Sequence, residues 1–430
     1  MLAQRIRERR LTFEEFSEQL EVFARENNEV GTMSTRHAQR IAARTLTVEQ
    51  LRPATVRLLE KFFESSIDEL LAPPAGVPSP ILATSVRGMT RAAASDARRI
   101  SAWMESTSTS SGAVQIYRDA LIVASGDFLN RPIAEVFDDL TGLRREMFGD
   151  IEAHRHHPRH VRELLTLVGM ASVVMAHASH LLGYPDVGMT QARLAQLCAA
   201  DADHVELGAW ACGTQALLAE GTGRLRDALT HVRTACERLA RSRTPGTAAV
   251  RLASYEARIV ARLSSDTKVV RAALTASERA REALRGSSDV ADLDDIGGIL
   301  QFPEPKAEMY AGQVFSLIGH PAMAESHARA AIDSYLSGEP EQRSYGDIAL
   351  ARIDIAVARL AVHDLDGVED ALTDVFALPV VLRTEHLRPP LAALATALEA
   401  PPYRTVVVAN DIRESIRAFA TTPRRELDST

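Results

Sequence analysis

The chain has 430 residues, 46% of them hydrophobic, enough apolar surface for two or three folded domains and too much for a disordered polypeptide. A formal net charge of -8, with no long run of one sign, excludes a protein that coats nucleic acid over its whole surface, so any such contact is local. Three scattered cysteines, Cys198, Cys212 and Cys236, exclude a disulfide framework or a metal knuckle, and the charged opening "MLAQRIRERRLTFEEF" lacks the apolar core of a secretory signal, so a cytoplasmic location is expected.

Alanine and leucine dominate the apolar residues and β-branched runs are few, so the expected fold class is all-α. Residues 1–72 parse into five helical pieces: "LAQRIRERR", "TFEEFSEQLEVFAREN", "STRHAQRIAAR", "RPATVRLLEKFF" and "SIDELL". Thr12 and Glu15 have the spacing of a capping box at the start of the second, Ser34 can cap the third, and Pro53 suits the first turn of the fourth. Charge is segregated between them. Leu11 to Val30 holds Glu14, Glu15, Glu18, Glu21, Glu26 and Glu29 against Arg25, whereas Thr32 to Arg44 holds Arg36, Arg40 and Arg44 and no acid.

Arginines at intervals of four form a positive stripe along one side of the third piece, and Arg5, Arg7, Arg9 and Arg10 form a second basic cluster. A helix entering the major groove turns its N-terminal residues to base edges while flanking groups hold phosphates. Ser34 and Thr35 are then candidate phosphate donors, Arg36 or Arg40 the candidate partner of guanine and Gln39 of adenine, with Arg44 continuing the stripe. The plainer alternative is a solvated arginine face on a packing helix.

The proline-rich stretch "LLAPPAGVPSP", Leu70 to Pro80, closes this first domain; residues 73–110 are expected as a linker and connecting helix ending in the loop "STSTSSG". From 111 to 430, helical segments alternate with short turns at "LLGYPD", "AEGTGR", "RLSSDT", "LIGHPA" and "AVHDLD". The longest interval between turns contains "GSSDVADLDDIGGILQFPEP", expected as a loop on the array. Leu164 to Pro185 carries no Asp, Glu, Lys or Arg over a length that could cross a bilayer, yet its Thr, Ser and His residues favour a buried helix, and no membrane partner is expected.

In "EAHRHHPRH", His154, His156, His157 and His160 crowd together, but Pro158 disfavours a helix that would align them, so a solvated turn is expected and no metal site. No phosphate loop, nucleophile elbow or H-E-x-x-H pattern occurs, and the acidic pairs Asp138–Asp139 and Asp294–Asp295 read as turns or solvated faces; neither an enzyme nor a cofactor is expected.

In "AEMYAGQVFSLIGHPAMAESHARAAIDSYL", Gly312, Phe315, Gly319, Ala324, Ala328 and Ala331 fall where tetratricopeptide repeats place small or aromatic residues, so 111–430 resembles a tetratricopeptide-like α-solenoid; an irregular helical bundle is the alternative. By repeat phase Met175, Ser179, Trp210, Tyr255, Met309 and Gln313 are candidate ligand-binding residues of an inner groove, with a core position an equal reading for each. The five pieces of 1–72, with "RRLTFEEFSEQL" ahead of "MSTRHAQRI" and "PATVRLLEKFFESSIDELLAPP" after it, resemble the Cro/CI-like (XRE) helix-turn-helix domain, and the whole chain is similar to actinobacterial-type regulators that join this domain to such repeats. That resemblance implies a homodimer on a palindromic double-stranded DNA operator, controlled by a peptide or small-molecule effector. A longer turn, "ARENNEVG", and an ending "AARTLTVEQL" depart from the family pattern and open a second reading, an interaction scaffold with a degenerate helix-turn-helix.

Overall fold

A computed structural model describes residues 6, 9, 11–27, 33–35, 38, 41, 51, 53–63, 65–67, 70, 94, 97–98, 111–153, 158–242, 246–286 and 291–421. Among them the regular structure is entirely helical. The chain divides into two compact units, Met1–Ala93 and Ala94–Thr430. The expected connector 73–110 is therefore shared between them. Arg98 pairs with Glu146 at 3.2 Å, which ties that part of it to the second unit.

In the first unit, α1 (Phe13–Glu26) begins at a complete capping box: the Thr12 hydroxyl accepts from the Glu15 amide and the Glu15 carboxylate accepts from the Thr12 amide at 2.8 Å. α2 (Pro53–Phe63) starts on proline, whose missing N–H costs nothing in a first turn. The core joins Phe16, Leu20 and Ala24 of α1 to Leu58, Leu59, Phe62 and Phe63 of α2, with Ile6, Met33, Ala38 and Ile41 completing it. Phe16, Phe23, Phe62 and Phe63 meet ring to ring at 5.0 to 5.6 Å, a cluster that gives so small a unit its own buried centre.

The second unit opens with α3 (Ser111–Asp127) and α4 (Ile133–Ala153). Inner and outer helices then alternate: α5 (Pro158–Leu182) and α6 (Pro185–Asp201), α7 (Val205–Gly221) and α8 (Leu225–Leu239), α9 (Gly246–Leu263) and α10 (Thr267–Arg285). The short α11 (Asp292–Ile296) intervenes before α12 (Glu304–Leu317) and α13 (Pro321–Ser337), α14 (Tyr345–Ala361) and α15 (Leu365–Phe376), and finally α16 (Arg388–Ala397) and α17 (Val407–Thr421). The two helices of each pair pack together, and α5, α7, α9, α12 and α14 also pack on one another in that order, forming a continuous inner layer.

Local chemistry sets this alternation. The five turns marked in the sequence each join an inner helix to its outer partner. In four of them one residue takes a left-handed φ: Gly183, Gly223, Gly319 and His363, and Asp203 does the same between α6 and α7. In all five the amide after that residue reaches back to the carbonyl five positions earlier, as Tyr184 does to Ser179 at 2.8 Å and Arg224 to Ala219 at 2.8 Å. This Schellman closure satisfies the last carbonyls of one helix and reverses the chain into the next. Pro158, as expected, starts a helix rather than continuing one.

Outer helices present single faces of small residues, with Ala192, Ala195, Ala228, Ala235, Ala324, Ala328 and Ala331 fully buried. α10 departs: Val270, Leu274 and Ser277 are its buried positions, and Ala273 and Ala280 lie only partly covered. The apolar helix α5 is long enough to cross a bilayer, but 78% of its most apolar window is buried inside the unit. It is a core helix of the array.

The segment read as an excess loop is a packed plug instead. Leu293, Ile296, Leu300 and Phe302 are buried, the Ser125 hydroxyl donates to the Gly297 carbonyl at 2.7 Å, and Arg118 pairs with Asp295. Gly298, at φ 59°, sits where a Cβ would lie 2.2 Å from the Ser125 carbonyl oxygen, so the contact with α3 requires glycine. Farther along, the Tyr345 amide donates to the Leu129 carbonyl at 3.3 Å and the Asn130 side chain to the Glu341 carbonyl at 3.2 Å. The array thus curls until its early and late helices touch across the inner face.

Candidate ligand-binding cavity

Between those meeting ends lies a cavity of about 690 Å³. The last turn of α5 supplies His177, His180 and Leu181, α7 supplies Leu217 and Glu220, α9 Arg258 and Arg262, α12 Lys306, Met309, Tyr310 and Gln313, and α14 Tyr345, Asp347, Leu350 and Asp354. Phe128 and Ile133 close it on one side, and residues 385–393, among them His386, Arg388 and Pro389, on another.

One polar chain crosses the inner layer helix by helix. Glu220 of α7, only 4% exposed, accepts from Arg258 at 2.5 Å and from Arg262 at 3.2 Å. Arg258 of α9 also donates to Gln313 of α12 at 2.9 Å, and Gln313 donates to Asp354 of α14 at 3.0 Å. A second link joins α12 to α14, where Lys306 meets Asp347 at 3.2 Å and the Tyr335 hydroxyl donates to the same oxygen at 2.8 Å. Buried charges persist only when paired and hydrogen-bonded, so removing one member of either chain strands the rest.

Aromatic rings support the arginines from behind. The Arg258 guanidinium lies 4.2 Å from the centre of the Tyr310 ring, which stacks on Tyr255 at 5.2 Å. Arg251 sits 4.4 Å over Trp210 and donates to the Trp210 carbonyl at 3.0 Å and the Thr214 hydroxyl at 2.9 Å.

Burial sets most of the ionisation states. It opposes the Arg258 charge, but the neighbouring Glu220 carboxylate outweighs it and raises the pKa. Burial pushes Asp354 up to about 7, against the pull of its Gln313 hydrogen bond. Burial, with nearby positive groups, lowers His180 to about 4 and His386 to about 3, and holds His177 well below its usual value. The three imidazoles facing the cavity are therefore neutral at physiological pH.

Of the six groove residues read from the sequence, Met309 and Gln313 line the cavity. Tyr255 and Trp210 stand behind the wall, 1% and 3% exposed, holding Tyr310 and Arg251 rather than facing the space. Met175 and Ser179 are buried in α5, where the Ser179 hydroxyl is used by the Met175 carbonyl at 2.8 Å. These four take the core position that was the equal reading for each: α5, α7 and α9 are covered along most of their length, so a helical phase does not select a groove face. Sequence reasoning missed His177, His180, Arg258, Lys306 and Asp354; charged residues at helical spacing inside apolar first helices, such as Arg258 and Arg262, were the available signal.

On the first unit, Ser34 is exposed and precedes helical Thr35, with the Ala38 amide bonded to the Ser34 carbonyl at 3.0 Å. Ala38 and Ile41 are buried, three apart on one face. Arg36, Gln39, Arg40 and Arg44 lie outside the described residues, as do His154, His156 and His157 of the histidine run. Arg9, expected in a free basic cluster, lies 4.7 Å over the Phe62 ring and donates to the Phe62 carbonyl at 3.1 Å.

One acidic pair also differs from its expectation. Asp294 is not solvated: it accepts from the Thr247 amide at 2.8 Å and faces Glu206, whose pKa burial and then the Asp294 charge raise to about 8. No group of three or more His, Cys, Asp or Glu among the described residues has the arrangement of a metal site.

No protein-family model and no curated protein matches this sequence.

Proposed function

We propose that the chain is a cytoplasmic, ligand-responsive transcription regulator, in which a Cro/CI-like first unit binds DNA and a tetratricopeptide-like array receives the effector. The cavity is the observation that carries this reading. Its volume of about 690 Å³ falls in the range of roughly 300–1,000 Å³ that small-molecule sites occupy, and its walls mix an apolar lining with a few converging polar groups. Because five inner helices contribute, an occupant contacts several helix pairs at once. It shifts their relative setting through differential affinity for two states of the array.

The DNA-binding half rests on the residues Ser34, Thr35, Arg36, Gln39, Arg40 and Arg44 and on the capped, phenylalanine-cored unit that carries them. A single helix reads too few base pairs for a specific operator, so the reading includes a homodimer on paired half-sites. The test is footprinting on the DNA upstream of the chain's own gene. Wild type is expected to protect two half-sites, with affinity falling steeply as salt rises. Arg36→Ala with Arg40→Ala is expected to remove the protection, and undiminished protection by the double variant would take that helix out of the mechanism.

A further inference from the structure

The donors and acceptors around the cavity are out of balance, and the imbalance specifies a ligand. The acids there each have a donor: Glu220 two arginines, Asp347 both Lys306 and Tyr335 on one oxygen, Asp354 the Gln313 amide on one oxygen. Several donors have no acceptor. The Arg258 Nε–H and the Tyr345 hydroxyl are buried without partners, and Lys306 engages one carboxylate with an ammonium that carries three protons. His177 and His180 meet other rings edge-on, and each, being neutral, offers one N–H beside one acceptor nitrogen.

Charge points the same way. Arg258, Arg262, Lys306 and Arg388 face the carboxylates of Glu220, Asp347 and Glu385, while burial pushes Asp354 up to about 7, so that it is only partly ionised near neutral pH. An incoming cation would meet only acids that already have partners. An anion would meet positive groups in excess, among them the Lys306 ammonium with protons to spare. The rest of the wall, including Phe128, Ile133, Leu217, Leu350 and Pro389, suits an apolar body. The contacts of Leu129 with Tyr345 and Asn130 with Glu341 bound the groove, so the space suits one compact molecule better than an extended chain running through it.

We propose that the cavity binds a small amphiphile with an apolar body and an anionic head, the head lying among Lys306, Arg258, Arg262 and Tyr345. This rests on the reading of the array as a receptor and narrows its ligand to one chemical class.

Two probes share one aromatic body and differ by the head: 8-anilinonaphthalene-1-sulfonate carries an anion and N-phenyl-1-naphthylamine does not. In fluorescence titrations of the full chain, one sulfonate probe per chain is expected, bound roughly ten- to a hundredfold more tightly than its neutral partner, the advantage of hydrogen bonds to a charged group. Lys306→Met and Arg262→Gln should each shrink that advantage and leave the neutral probe unchanged, and Leu350→Trp should crowd the apolar wall and weaken both. Circular dichroism melts establish that each variant is folded. Should Lys306→Met unfold, Arg262→Gln carries the test alone, because its partner Glu220 keeps Arg258. Equal affinity for the two probes at one site, or a sulfonate preference unchanged in Arg262→Gln, would overturn the anionic head and leave the receptor reading standing. Failure of both probes to bind, or binding of both that Leu350→Trp does not weaken, would remove the cavity as a ligand site and the receptor reading with it.

Discussion

Helices α7 and α8 are neighbours in the chain and opposites in environment. Every residue from Glu206 to Glu220 of α7 is buried, whereas α8 buries only Ala228, Val232, Ala235 and Leu239, a single stripe with steps of four, three and four. An outer helix needs one apolar face and can leave the other to water. An inner helix of a curled array is packed from all sides, so its polar residues must find partners within the protein. Glu220, Thr214 and Gln215 of α7 do so, with Arg258, Arg251 and Gln196 respectively. The inner layer is therefore where a single change costs most, and where ionisation is most displaced.

Removing a buried inner arginine sharpens that contrast most. Arg251 is 2% exposed, donates to the Trp210 carbonyl and the Thr214 hydroxyl and lies over the Trp210 ring, so Arg251→Ala removes both bonds and opens a void, leaving only the bond from the Thr214 hydroxyl to the Trp210 carbonyl. A loss of roughly 3–5 kcal/mol in urea unfolding is expected. Its outer counterpart Arg233 is largely exposed and pairs with Glu256 at 3.3 Å; Arg233→Ala should change stability by less than about 0.5 kcal/mol. Similar losses at the two positions would dissolve the distinction between layers.

Titration offers the next largest effect. Burial, then the Asp294 charge, raises Glu206 from 4.5 to about 8, so the folded protein holds a proton that the unfolded chain releases near its ordinary pKa. Its contribution to stability is fully present below about pH 4.5 and is lost as pH rises towards 8. Glu206→Gln should then match wild type near pH 4 and exceed it by roughly 2–4 kcal/mol at pH 8, read from unfolding midpoints across pH. A wild-type stability that does not fall over this interval would contradict the buried neutral carboxyl.

The smallest effect belongs to the outer layer. Asp266 caps α10 by accepting from the Lys268 amide at 2.9 Å in an exposed position. Asp266→Ala should lower the melting point by the equivalent of about 1 kcal/mol without altering the pH profile. A larger loss would mean that an outer cap is coupled to the inner layer.

The elements that were legible in the sequence are those controlled by neighbours in the chain. Thr12 and Glu15 cap each other across three residues, Pro53 and Pro158 can only begin helices, and Gly183, Gly223 and Gly319 supply the left-handed turn that ends one helix and starts the next. The plug at 291–302 escaped because its Gly- and Asp-rich composition reads as a loop until Leu293 and Phe302 find α3, α7 and α9 to cover them. Four of the six groove candidates went to the core for a related reason. Periodicity separates a wet face from a dry one, and α5 and α7 have little wet face to reveal.

By itself, then, the sequence determined an all-helical chain, the turns that pair its helices, and a capped helical unit at its start, because propensity, caps and turn chemistry act within a few residues. Only the tertiary structure decided that the array curls until Leu129 meets Tyr345, that Glu220, Arg258, Gln313 and Asp354 line up across four helices, and that three histidines face the same space uncharged. Those contacts join residues 38 to 216 positions apart, and the energies that select them come from burial and pairing that exist only once the layers have closed.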